Sequence, residues 1–86
     1  MDAIKQTYTF FFEYRGGVTI RQVMADDLAE ATQNVVKVMP QDRGISWRDF
    51  LDSKPVPVEA MKNVWCITAL IDNDENLCMC HITITA

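Results

Sequence analysis

The sequence predicts an α+β fold: a four-stranded antiparallel sheet of two β-hairpins, with one main helix packed on one face, in the order β-β-α-(short helix)-β-β. Three observations lead there. Aromatic and β-branched residues flank a glycine pair near the start. A capped stretch with a helical apolar period follows. Two alternating apolar stretches around an acidic turn close the chain. With 86 residues, one small domain spanning 1–86 is expected.

The first hairpin is "TYTFFFEYRGGVTIRQVMA". A two-residue loop, Gly16-Gly17, would pair Arg15 with Val18 and set Arg21 opposite Phe12. A three-residue loop, Arg15-Gly16-Gly17, pairs Tyr14 with Val18 instead. One face then carries Tyr8, Phe10, Phe12, Tyr14, Val18, Ile20 and Met24, with only Gln22 polar. The other carries Thr7, Thr9, Phe11, Glu13, Thr19, Arg21 and Val23. The second register segregates better and is the one predicted, since a one-residue slip exchanges the faces of a strand.

"DLAEATQNVVKVMP" reads as the main helix. Asp27 is the predicted N-cap, and Glu30 completes a capping box. Leu28, Ala31, Val35, Val38 and Met39 form one apolar stripe, and Pro40 ends the helix. In the next segment, Ser46 with Asp49 repeats the capping pattern, so 47–51 is expected to form a short helix with Trp47, Phe50 and Leu51 on one face. "KPVPVEA" is extended, and its prolines make it a linker or sheet edge.

"VWCITALID" and "LCMCHITIT" form the last hairpin around "NDEN". A four-residue loop, 73–76, pairs Asp72 with Leu77, Ile71 with Cys78, Ala69 with Cys80, Ile67 with Ile82 and Trp65 with Ile84. The last eight of these residues are apolar and share a face. A one-residue shift would mix His81 and Thr83 among them.

Side-chain direction then decides what the cysteines and the histidine do. Cys78 and Cys80 point into the core, and His81 points away. "CMCH" is therefore not a compact ligand set, and no metal or cofactor is expected, because structural zinc takes four ligands from paired spacings. The buried cysteines read as small hydrophobes. Cys66 shares the His81 face as a diagonal neighbour, with Thr83 opposite Cys66. That separation, about 7–8 Å, is too long for a nucleophile–base pair. No catalytic residue is expected.

Composition narrows the function classes. Net charge is −4, which argues against a nucleic-acid binder, since phosphate contacts need excess Lys and Arg. From residue 63 to the end there is neither, while Asp72, Asp74 and Glu75 cluster at one turn. An odd cysteine count without scaffold spacing fits reduced thiols in the cytoplasm. The apolar run 8–12 is too short for a signal peptide, and no run reaches membrane-spanning length. Nothing marks a small-molecule site. "RGG", an RNA-binding pattern, occurs once and at a hairpin turn, and the alternating Tyr8, Phe10, Phe12 and Tyr14 have the spacing of a base-stacking sheet, but the helix stripe needs that aromatic face.

One surface stands out. The second face of the last hairpin carries Val64, Cys66, Thr68, Leu70, Leu77, Met79, His81, Thr83 and Thr85, which is too apolar to leave in water. The short helix or a second chain would cover it, with Leu70, Leu77, Met79, His81 and Trp47 as the interface residues. The leading expectation is a small bacterial-type, non-enzymatic protein-interaction or regulatory module that acts as a homodimer or on another protein. The alternative is a small acidic inhibitor of phage or plasmid type, blocking a nucleic-acid-binding protein. A third reading is an enzyme or metal protein using Cys66, Cys80 or His81.

Overall fold

The computed structural model describes residues 5–41, 44–72 and 76–85. The chain runs β1 (Gln6–Tyr14), β2 (Gly17–Ala25), α1 (Leu28–Val38), α2 (Arg48–Asp52), β3 (Val56–Pro57), β4 (Val64–Leu70) and β5 (Leu77–Ile84). The class is α+β with an antiparallel sheet and a helix, as expected. The sheet has five strands rather than four, in the order β2-β1-β5-β4-β3. The added strand is β3, where the proline-flanked segment pairs Val56 with Cys66 and Pro57 with Trp65. Proline lacks an N–H for a ladder on both sides, so this strand is short and sits at the edge. The C-terminal strand β5 is central, paired antiparallel with both β1 and β4.

The first hairpin adopts neither of the two loops weighed from sequence. Its loop is Arg15-Gly16, and Tyr14 pairs with Gly17. Both loop residues have positive φ, 52° and 75°. That is the two-residue hairpin geometry whose twist matches the flanking strands. Turn geometry therefore sets the register, and side-chain segregation yields to it. Thr19, Arg21 and Val23 join the aromatic face, while Val18, Ile20 and Met24 move to the other.

The N-cap of α1 is as predicted. Asp27 Oδ1 accepts from the Glu30 backbone N–H at 2.8 Å, but the return bond of the expected capping box falls one residue earlier, Glu30 Oε1 accepting from the Asp26 N–H at 3.2 Å rather than from that of Asp27. Ala31, Val35 and Met39 are buried, but Val38 is 53% exposed. Thr32 takes the inward place, its hydroxyl donating to Leu28 O at 2.9 Å. In α2 the cap position falls on Trp47, without a side-chain cap bond, and Ser46 Oγ accepts from the Arg48 N–H at 3.4 Å.

Both helices pack on the face that carries Tyr8, Phe10 and Phe12. Phe12 lies at the centre of the core, its ring 5.6 Å from Trp47, 5.5 Å from Phe50 and 5.9 Å from Phe10. Trp47 is only 4% exposed, and its indole N–H donates to Pro40 O at 3.1 Å. Leu51 does not join Trp47 and Phe50 but is left exposed. The short helix thus covers the same face as α1 and leaves the opposite face of the sheet open.

The last hairpin keeps its predicted faces in a different register. Leu70 pairs with Leu77, Ala69 with Cys78, Ile67 with Cys80 and Trp65 with Ile82. This is two residues from the expected pairing, so Cys78, Cys80 and Ile82 still point inward. Ile71 leaves the ladder and becomes fully buried. Its N–H donates to Asn76 O at 3.1 Å, and its C=O accepts from the Ser46 N–H at 2.6 Å. Residues 73–75 of the expected turn lie outside the described residues.

Candidate interaction surface

The open face is built by strand alternation. Directly paired residues place Ile20, Phe11, His81, Cys66 and Val56 in one row across all five strands. Beside it runs Val18, Glu13, Met79 and Thr68, and on the other side Gln22, Thr9, Thr83 and Val64. Phe11, Val18, Ile20, Met24, Val56, Leu70, Leu77 and Met79 all stand on this face, each between 38% and 64% exposed. Such a contiguous apolar sheet face is far larger than scattered surface hydrophobes.

One corner of the face is polar and satisfies itself. Gln22 donates to Thr9 Oγ1 at 3.0 Å, and Thr9 shares a hydrogen bond with the Thr85 hydroxyl at 3.0 Å. The opposite end opens on a shallow cleft lined by Glu13, Tyr14, Arg15, Val18, Leu77 and Met79. Glu13 is the single formal charge among the strand residues of this face.

Of the residues predicted for the surface, Leu70, Leu77, Met79 and His81 lie together on it. Trp47 does not. It is in the core on the other side of the sheet, held by Phe12, Tyr14 and Phe50. Sequence reasoning missed Phe11, Val18 and Ile20 as partners of this surface. For Val18 and Ile20 the overlooked signal was the possibility of an Arg-Gly turn, which moves β2 by one residue relative to the favoured register, whereas Phe11 joins the surface through the pairing of β1 with β5.

The two-residue shift between β4 and β5 changes the cysteine geometry. All three cysteines are free. Cys78 and Cys80 are buried, and burial pushes the Cys78 thiol up to about 11 and the Cys80 thiol higher still. Cys66 is not diagonal to His81 but directly opposite it. The hydrogen bond from Ile71 to Asn76 fixes the alternation of the ladder. Counting back from it makes Cys66–His81 a non-hydrogen-bonded pair, the kind with close side chains and Cα atoms about 4.5 Å apart. Both side chains are half-buried. Within one chain, no group of three or more His, Cys, Asp or Glu is placed to hold a metal among the described residues.

Asp72 was expected as part of an acidic surface. Instead its carboxylate accepts from the Asn76 N–H at 3.0 Å, from the Asn76 amide at 2.8 Å, and from Arg15 at 2.9–3.0 Å. The Asn76 donors, with Arg15 adding, hold its pKa down at about 2. The ion pair ties the tips of the two hairpins together. Asp74 and Glu75 lie outside the described residues. Among the described residues no helix is long and apolar enough to cross a membrane.

Comparison with protein-family models, with curated proteins and with solved structures finds no match.

Proposed function

We propose that the chain is a non-enzymatic protein-interaction module of regulatory type, working as a homodimer through its open sheet face. The observation that carries this reading is the row from Ile20 to Val56, apolar or weakly polar across every strand and covered by neither helix.

Three features favour a second copy as the occupant. The first is area. Four long strands about 4.8 Å apart and about 26 Å long give about 500 Å² in plan per copy. A pair then buries about 1,000 Å² before side-chain relief is counted, which reaches the threshold for a specific interface. The second is charge. A chain of net charge −4 presents on this face one carboxylate, Glu13, so two copies meet with little repulsion.

The third is that the sheet edges are blunted. In β2 the residues in non-hydrogen-bonded pairs with β1 are Val18, Ile20, Gln22 and Met24, and their backbone groups point outward. Arg21 Nη1 donates to Ile20 O at 2.9 Å, and Asn34 Nδ2 donates to Met24 O at 3.5 Å. At the other edge β3 is two residues long and proline-flanked. Side-chain caps, prolines and short strands are standard protections against edge pairing. Association is directed to the face.

The acidic-inhibitor alternative loses Asp72 from its surface, because that carboxylate is committed to Asn76 and Arg15.

Met79→Asp or Leu70→Asp places a charge on the face without entering the core. Either substitution is expected to lower the light-scattering mass from two chains to one, with the helix signal in circular dichroism unchanged. A wild-type chain and a Met79→Asp chain of equal mass would contradict the reading.

A further inference from the structure

We propose that Cys66 and His81 are half of a zinc-type metal site, completed by Cys66 and His81 of a second copy across the open face. The proposal rests on the homodimer reading and deepens it. It starts from the register: the two side chains sit directly opposite each other on neighbouring strands β4 and β5, in the pair type that brings side chains closest. Both are half-buried on the face that both helices leave open.

Symmetry supplies the other two ligands. A two-fold axis that lays this face on its own copy must lie in the plane between the sheets. Overlap is greatest when the axis passes through the centre of the face. The row through Phe11, His81 and Cys66 crosses the long strands near mid-length and is the one row that reaches every strand, so an axis along it passes through that centre. His81 stands there, with Cys66 beside it. An axis along the row sets each residue against itself. This arrangement gathers two thiols and two imidazoles at one point.

Distance and charge suit the chemistry. Sheets packed face to face are about 10 Å apart, so the midplane lies about 5 Å above each backbone. A thiolate sulfur at about 2.3 Å and an imidazole nitrogen at about 2.0–2.1 Å from an ion at that plane are within reach. Two thiolates neutralise a divalent ion, so the completed site has no net charge among Phe11, Ile20 and Met79. Soft sulfur with imidazole selects zinc over magnesium or calcium. Each Cys66 releases its proton on binding.

The test uses the full chain, stripped with a chelator and then given zinc chloride. Sedimentation velocity is expected to show a dimer dissociation constant at least tenfold lower with zinc, and native mass spectrometry one zinc per two chains. Cobalt in its place should give the visible bands of a tetrahedral thiolate site. Cys66→Ser and His81→Gln should each abolish the zinc effect, with circular dichroism confirming their fold. One zinc per single chain, or a zinc effect that survives both substitutions, would overturn the site. So would a dimer that zinc does not tighten, which leaves the homodimer reading standing. A chain that stays monomeric with and without zinc overturns both.

Discussion

Asp72 shows how much one residue contributes once its partners are known. Its carboxylate is held by Asn76 and by Arg15, and its pKa falls from 3.8 to about 2. A carboxyl whose folded pKa is lowered contributes stability that is full above its unfolded pKa and is lost as pH falls through the folded one. The Tm is therefore expected to drop between about pH 4 and pH 2, and Asp72→Asn should flatten that part of the profile. Thermal melts followed by circular dichroism across this range check it, and an unchanged slope in Asp72→Asn would contradict it. The cysteines give a second residue-level expectation. Cys78 and Cys80 are buried and Cys66 is not. In the Met79→Asp chain, native alkylation followed by intact mass should add one label of the three possible. In the wild-type chain, labelling should slow as concentration rises and the face is covered.

The elements differ in how openly the sequence announces them. The cap of α1 was legible because Asp27 and Glu30 act within four residues and need nothing from the rest of the chain. Asp27→Ala is expected to lower stability by about 1 kcal/mol, read as a shift in the urea midpoint. The hairpin registers were less legible. "RGG" permits overlapping loops, and the one adopted demands positive φ at Arg15, a residue that rarely takes it. In the last hairpin, alternation fixed which side chains face inward. It could not fix which pairs form, because a two-residue shift leaves both faces unchanged. The core cysteines were therefore placed correctly, while the Cys66–His81 pair was not. Trp47 and Phe50 could have covered either face. Only tertiary packing against Phe12 decides that they join α1.

At the scale of the whole molecule, one sheet separates a filled side from an open one. Among the described residues all of the helical structure lies on the side of Phe10 and Phe12, and the rows through His81 and Met79 have nothing above them. A domain of this size buries only about 60–65% of its unfolded surface, so covering a second apolar face adds a substantial share to its stability. In the proposed dimer, with both edges blunted, the cover is another such face, giving a two-layer sandwich at the centre with helices outside. The most direct measurement is sedimentation equilibrium of the wild-type chain across the micromolar range. Twice the chain mass, falling toward one on dilution, is the predicted result. A mass of one chain throughout that range would contradict it.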